Sequence, residues 1–298
     1  MSALGYPFQG KIWYYVENSY GSGPTSTAYP ISIKVLDARI GLGDKHKPLR
    51  GIDEPEADVL LEQCNDFTFH LEYIPQCGDT LLANAEQRSE DKQCDLSSLC
   101  FFLEVNSCVS STDKTYYVIK GAKLKSVGIS ASHNTEYVFS MDFSVKESEI
   151  TDSSSVTADE PTDLSGVLCA FNIAGSITDG DNNPLAYIVD SIDVTIDEGL
   201  KDYWDHDSID KQYAIAGEKD ITGSVDITLD EGGGNHLQDV IDQTEFSIKI
   251  ALGGSGCPLI TLSGCKWKSS EIDKNNAGDI MKESAPFTAT GCTLGVVS

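Results

Sequence analysis

The sequence predicts a mainly β fold with short helices, arranged as two tandem copies of one domain. Apolar residues alternate at period two over several short runs, which is typical of half-buried strands. Turn residues recur between these runs, and one short motif occurs twice. At 298 residues the chain has the length of about two ordinary domains, and 40% hydrophobic residues suffice for two cores.

The repeated motif is Gly-x-Lys-x-Lys-Ser. It begins at Gly121 and again at Gly264. Its shared positions are Gly121, Lys123, Lys125 and Ser126 in the first copy and Gly264, Lys266, Lys268 and Ser269 in the second. A motif this short can recur by chance, so the surrounding pattern has to decide whether the copies are related.

The surrounding pattern repeats in the same order. Each motif is preceded by an alternating run, a segment with helical spacing and a second alternating run. In the first copy these are residues 67–74, 79–90 and 101–105, and in the second they are residues 221–229, 235–243 and 246–250. A further pair of strand-like segments, residues 31–40 and 187–196, lies upstream. Duplication is the economical interpretation.

The domain boundary is predicted near residue 160. Residues 151–164 are polar, rich in small side chains and unable to bury a core, which is typical of a linker. The predicted domains are therefore residues 1–150 and 165–298. Each contains a long polar stretch after its first strand, residues 41–63 and 199–218.

Charge excludes one class of function. The chain has 47 acidic and 21 basic residues, a formal net charge of −26. A phosphate backbone would be repelled, so conventional nucleic-acid binding is not expected.

No run of about 20 apolar residues occurs, so no membrane insertion is expected. The segment after Met1 has neither a basic start nor an apolar core, so we expect no export by an N-terminal signal.

The nine cysteines are predicted to be free, buried thiols, because their number is odd and no secretory signal is apparent. Two alternatives stay open. One is a zinc site, because five cysteines lie within residues 64–108, although their spacings lack paired C-x₂₋₄-C. The other is a disulfide between Cys94 and Cys100.

No catalytic motif is present. The five histidines are scattered, and no zinc-protease, nucleophile-elbow or phosphate-loop pattern occurs. We expect no enzyme activity, no catalytic residues, no cofactor and no metal. Oxygen-bearing residues from Asp179 to Asp190 fit part of a calcium-loop register, but Pro184 occupies the place where such a loop needs glycine. A hairpin turn explains the same residues.

The whole pattern resembles a known family. A strand pair joined by a long polar loop, followed by a strand, a short helix and further strands, occurs twice in an acidic chain. This is similar to the tail tube proteins of long-tailed phages and tailed archaeal viruses. Residues 216–227 resemble the stretch in which that family's long loop returns into a sheet strand.

The resemblance implies a β-sandwich domain with a helix at its flank, in rings stacked around a channel for the genome. Two domains per chain imply a pseudo-sixfold ring of three chains. It further implies self-assembly, contacts with other tail proteins such as the tape measure and terminator, and DNA that passes the lumen without specific binding. The expected location is the virion tail tube, assembled in the host cytoplasm.

The two long polar stretches are predicted to carry assembly. Stretches of this length are usually functional or disordered, and aromatic residues tend to dominate binding energy. The candidate assembly residues are Leu49, Ile52, Val59 and Leu60 in the first and Tyr203, Trp204, Ile209 and Tyr213 in the second. The alternative is that these residues fold back on their own domain.

Other functions stay open. A distal-tail or baseplate ring protein, or the tube of a contractile secretion system, would share the fold. A carbohydrate-binding β-sandwich adhesin would need a surface aromatic platform, for which residues 13–15 and 203–204 are the candidates.

Overall fold

The structure is a computed structural model. It describes residues 11–23, 29–30, 35–43, 46–49, 59–62, 64–88, 94–106, 114–132, 135–152, 176–179, 188–228, 236–251, 257–269, 271–273 and 282–296. The mainly β class is confirmed, with twenty strands and two short helices in these ranges.

The elements follow one another in chain order. In the first half they are β1 Ile12–Val16, β2 Tyr29–Pro30, β3 Val35–Leu42, β4 His46–Leu49, β5 Val59–Glu62, β6 Phe67–Tyr73, α1 Leu81–Ala85, β7 Leu99–Asn106, β8 Lys114–Ser132, β9 Val138–Val145 and β10 Glu147–Asp152. In the second half they are β11 Ser176–Asp179, β12 Ile188–Asp197, β13 Lys201–Trp204, β14 Lys211–Ile215, β15 Asp220–Thr228, α2 His236–Asp242, β16 Phe246–Ala251, β17 Pro258–Trp267, β18 Glu271–Asp273, β19 Lys282–Ala289 and β20 Gly291–Val296.

Most predicted elements lie where the sequence pattern placed them. The first helix is shorter than expected, because only Leu81, Leu82 and Ala85 provide an apolar face. β10 continues over residues 151–152, so the predicted linker begins later than expected. Residues 153–164, and residues 180–187 of the alternative calcium loop, lie outside the described residues.

Each half is built from two sheets that face each other across a core. In the first half β8 belongs to both sheets: its beginning pairs with β7 and β10, and its end pairs with β9. The change of sheet falls at Gly121, whose φ of 66° favours glycine. Across the core, the ring of Phe101 lies 4.9 Å from that of Phe69 and 5.0 Å from that of Phe143.

The second half repeats this connectivity. β17 pairs with β16 and β20 in one sheet and with β19 in the other. Its change of sheet falls at Gly264, where φ is 60°. The repeated motif therefore marks the point at which one strand leaves one sheet and enters the next. A residue with a side chain would be strained in this left-handed backbone conformation at both positions.

Irregularities in strand pairing also match. β3 shifts register against β6 between Val35 and Asp37, and β12 shifts against β15 between Val189 and Ser191. The pairs β7–β8 and β16–β17 have a second common irregularity, just after their first paired residues. Bulges are specific features of a fold, so the two halves share details as well as strand order.

One sheet, which we call the shared sheet, runs through both halves in the order β3-β6-β9-β8-β12-β15-β19-β18. The halves join where residues 126–132 of β8 pair antiparallel with residues 191–197 of β12. One face of this sheet contributes Phe139, Val194 and Phe287 to a core that is continuous between the halves.

A disulfide also connects the halves, and the prediction of nine free thiols is wrong. Cys77, which precedes α1, is bonded to Cys257, which precedes β17. The two cysteines are 180 residues apart, so no local spacing could have indicated the bond. The alternative bond between Cys94 and Cys100 is absent from the described residues, since Cys94 is exposed and Cys100 is buried as a free thiol. Burial raises the pKa of the Cys100 thiol.

Candidate assembly surfaces

Both long polar stretches contain a two-stranded hairpin, in place of the unstructured loops that their composition indicated. In the first hairpin β4 pairs with β5, and Leu49 lies opposite Val59. In the second hairpin β13 pairs with β14, and Tyr203 lies opposite Tyr213. The two hairpins therefore place candidate assembly residues at matching positions of their registers.

The second hairpin docks on the first half of the chain. Its central cation is Lys211, whose side chain is fully buried. The Nζ atom of Lys211 lies 2.8 Å from Asp202 and 3.4 Å from Asp66, and it donates to Ser144. Asp66 and Ser144 belong to the first half, so this buried charge joins the two halves. A buried charge of this kind is stable only with its partners in place.

A second set of bonds fixes the tip of the same hairpin. The indole nitrogen of Trp204 donates to the carbonyl oxygen of Asn65 at 3.1 Å. The backbone nitrogen of Asn65 donates to the carbonyl of Ile209 at 2.7 Å, and its side chain donates to Asp210 at 2.6 Å. The hairpin is therefore held at its tip as well as at its base.

The first copy of the repeated motif receives the hairpin. The Nζ atom of Lys123 donates to the carbonyl oxygen of Ala214 at 3.0 Å and to Asp95 at 2.7 Å. The carbonyl of Lys125 accepts from the backbone nitrogen of Glu198 at 2.9 Å, and Ser126 lies opposite Asp197 in the strand register. Lys123 is only 4% exposed as a result. The motif is thus the docking point of the second half on the first.

A four-residue ionic cluster closes the joint. The carboxylate of Glu198 is fully buried and pairs with Arg88 and with Lys219, the latter at 2.9 Å. Lys219 also lies 3.0 Å from Glu86. Burial raises the pKa of Glu86, with Lys219 acting in the opposite direction. Burial lowers the pKa of Lys219, but Glu86 and Glu198 more than offset this and raise it overall.

The second copy of the motif has no such cover within the described residues. Lys266, Lys268 and Ser269 are exposed, although Lys266 occupies the position of the buried Lys123. β3 is also open on one side, since among the described strands it pairs with β6 alone. Strand edges of this kind present unpaired backbone groups that can bind another chain.

The outer face of the second hairpin is apolar and exposed. Tyr203 is 48%, Tyr213 66% and Ile215 41% exposed. Ile209, at the hairpin tip, is also exposed, and Trp204 is 36% exposed although its indole nitrogen donates to Asn65. The side chains of Leu49, Val59 and Leu60 are not described, and Ile52 lies outside the described residues.

The first of the two aromatic groups considered as an adhesin platform, residues 13–15, does not form one. Trp13, Tyr14 and Tyr15 are all buried, the first stacked against Phe102 at a centroid distance of 5.8 Å. Period-two alternation sends Tyr14 into the main core and Trp13 and Tyr15 into a smaller cluster on the other face of the same sheet. This part of the adhesin hypothesis is wrong.

The other face of the shared sheet, which we call the polar face, carries mostly small polar and acidic residues. Serines and threonines alternate with its carboxylates along β9, β12 and β15, and β8 between them carries serines and a glycine. Its acidic residues include Asp37, Glu72, Asp142, Asp193, Asp197, Asp220 and Asp226. Arg39 and His70 lie among them, the latter 2.8 Å from Asp142. Burial, followed by the charge of Asp226, raises the pKa of Asp193.

One group on this face has the composition of a metal site. Ligand atoms of Asp37, His70 and Glu72 lie within 4.8 Å of one another. Protein partners already engage two of them, because Arg39 binds Asp37 and Asp142 binds His70. The hydrogen bond from Arg39 lowers the pKa of Asp37.

No helix in the described part of the chain is long and apolar enough to cross a membrane.

Comparison with known proteins identifies the family. The family model described as phage tail tube protein matches residues 102–289, from β7 to the end of β19, which is more than half of the chain. The chain therefore belongs to the phage tail tube protein family. It is thus a structural component of a phage tail. A search of curated proteins gave no match.

Sequence reasoning missed the residues that join the halves. Lys211, Glu198 and Asn65 carry no motif, and their partners lie far away in the chain. Lys211 and Glu198 lie in a segment rich in charged residues, and charged residues in such a segment are expected to be solvated. One signal was available: Lys123 and Lys266 were found as a repeated pair, although the role of the first became apparent only from its contact with Ala214.

Proposed function

We propose that the chain polymerises into rings that stack into the phage tail tube, through which the genome is delivered. Membership of the family supports this. The observation that carries it concerns the two ends of the shared sheet, β3 and β18, whose outer edges are open among the described strands. A sheet that ends in two open antiparallel edges can continue into the next chain at both ends and close on itself.

The two halves act as two copies of one tube domain, residues 1–150 and 165–298, separated by a linker. The matching strand order, the matching register shifts and the two glycines at positive φ support this arrangement. Three chains then supply six domains, and a head-to-tail interface closes a pseudo-sixfold trimeric ring.

The polar face of the shared sheet lines the channel. Its serines and threonines are short and neutral, and its carboxylates repel phosphates. Apolar side chains on the opposite face are already used in the core. DNA therefore passes without specific binding, and the formal charge of −26 favours the same outcome.

Rings stack through the hairpins. Tyr203, Tyr213 and Ile215 expose apolar area on the outer face of the second hairpin, and exposed apolar patches of this kind mark interaction sites. Leu49 and Val59 occupy the matching register positions of the first hairpin. Tape-measure and terminator proteins are the further partners of the assembled tube, in a virion tail built in the host cytoplasm.

Negative-stain electron microscopy of the purified recombinant protein tests this function. We expect rings and tubes of constant diameter that lengthen with protein concentration. Single rings that never stack would instead indicate a distal-tail or baseplate component. A protein that stays monomeric at all concentrations would contradict the proposal.

A further inference from the structure

We propose that the strand edge formed by residues 266–269 and 271–273 is the docking site for a second copy of this chain, which inserts its β3 and its first hairpin there. The inference rests on the proposed ring and assigns the residues that close it. It follows from the joint inside the chain, where residues 123–132 receive β12 and the second hairpin.

The two edges are equivalent by strand pairing. In the first half, residues 128–130 pair with residues 138–140 of β9. In the second half, β18 pairs with residues 282–284 of β19 in the same register. β18 therefore matches the part of β8 that binds β12, and its outer edge faces no other strand in the described ranges.

The inserting strands are equivalent as well. β12 binds β8 through residues 191–197, just after its register shift at Val189. β3 has its own shift at Val35, so Asp37 matches Ser191 and Ile40 matches Val194. Val194 is only 1% exposed inside the joint, whereas Ile40 is only partly buried. The difference in exposure is the one expected of a strand whose partner belongs to another chain.

Transfer of the internal register gives specific contacts between chains. In the joint, Asp193 lies opposite Ser130. Arg39 is the equivalent of Asp193, and Asp273 is the equivalent of Ser130. Arg39 of one chain therefore lies opposite Asp273 of the next. The opposed charges favour this register, since cross-strand pairs of opposite charge stabilise a sheet. In the same register, the pair of Val194 and Ile129 corresponds to Ile40 opposite Ile272.

The first hairpin makes the other part of the contact between chains. Ala214 accepts from Lys123 inside the chain, and Leu60 occupies the position of Ala214 in the register of the first hairpin. Lys266 then donates to the carbonyl oxygen of Leu60 in the neighbouring chain. Lys266 is the equivalent of Lys123 and becomes buried on assembly in the same way.

Two lysine variants test the assignment. Lys266→Met removes the donor and should raise the critical concentration for ring formation at least about tenfold, because a charged donor to a buried carbonyl is lost. Lys268→Met is the matched control, since the side chain of its counterpart Lys125 is exposed and only its carbonyl is used. The control should assemble within about twofold of the unaltered protein.

Cysteine pairs test the register. The background carries Cys64→Ser and Cys94→Ser, which remove the thiols that are exposed among the described residues. Arg39→Cys combined with Asp273→Cys should give oxidised, covalently linked chains in assembled material. Arg39→Cys combined with Glu271→Cys should give far fewer, because that pair is diagonal in the register and too distant for a disulfide.

The outcomes separate the two proposals. If the unaltered protein forms no rings, the proposed function fails and this inference fails with it. If it forms rings and Lys266→Met assembles equally well, the docking site is wrong while the ring stands. Equal crosslinking of both cysteine pairs overturns the register.

Discussion

Gly121 and Gly264 adopt nearly the same left-handed backbone, with φ of 66° and 60°, in two strands that both change from one sheet to another. A Cβ atom at Gly121 would lie 2.7 Å from the Cβ of Lys146, and one at Gly264 would lie 2.0 Å from the Oγ1 of Thr290. Backbone conformation and space both exclude a side chain at these two positions.

Alanine at either glycine should destabilise its own half. We expect Gly121→Ala and Gly264→Ala each to lower the free energy of unfolding by about 1–2 kcal/mol, measured by urea denaturation. Gly295→Ala is the control, because a Cβ there meets nothing within 4 Å. Equal stability of all three variants would show that the glycines are not required for the change of sheet.

The ionic cluster at the joint gives a second prediction. Lys219→Met should lower the free energy of unfolding by about 3 kcal/mol, because it leaves the buried carboxylates of Glu86 and Glu198 short of a partner. Lys249→Met, at an exposed lysine in β16, is the control and should change it little. A loss in Lys219→Met no larger than in this control would contradict the role of the cluster.

The same lysine predicts a pH dependence. The folded pKa of Lys219 is raised above its ordinary value of 10.5. A raised lysine pKa contributes stability that is fully present below the unfolded value and is lost as the pH rises through the folded value. The difference in the free energy of unfolding between the unaltered protein and Lys219→Met should therefore be constant between about pH 8 and pH 10 and shrink above about pH 10.

Thiol chemistry tests the disulfide between the halves. Denatured, non-reduced protein should show at least two fewer reactive thiols than the nine cysteines in the sequence, because Cys77 and Cys257 are bonded. Peptide mass mapping should recover these two cysteines in one linked fragment. Nine free thiols in protein kept from reductant would contradict the bond.

The exposed face of the second hairpin is predicted to control stacking. Tyr203→Ser combined with Tyr213→Ser should leave thermal unfolding of the free chain nearly unchanged, since both side chains are exposed. Electron microscopy should show single rings in place of tubes. Ile150→Ser, which removes an equally exposed apolar side chain from β10, should still form tubes. Tubes of normal length from the double variant would exclude this face from stacking.

Much of the fold was predictable because its signals are local. Alternation located β6 and β15, and helical spacing located α2. The repeated motif was visible as well, but only the structure shows that it marks the change of sheet at Gly121 and Gly264. These patterns depend only on which face of an element is buried.

The joint between the halves was not predictable in the same way. Lys211 is fully buried and bound to Asp66, which lies in the other half. Glu198 pairs with Arg88 across a similar separation. Nothing in the neighbouring residues distinguishes these charges from solvated ones, because their burial results from tertiary packing. Charge composition therefore did not reveal the contacts between the two halves of the chain.

The number of chains in one ring tests the central claim most directly. Cryo-electron microscopy of the assembled tube, processed without imposed symmetry, counts chains of 32.2 kDa around the channel. We predict three chains that present six similar domains, with β3 of each chain beside β18 of the next. A ring of six chains, or three chains joined through other strands, would contradict the account.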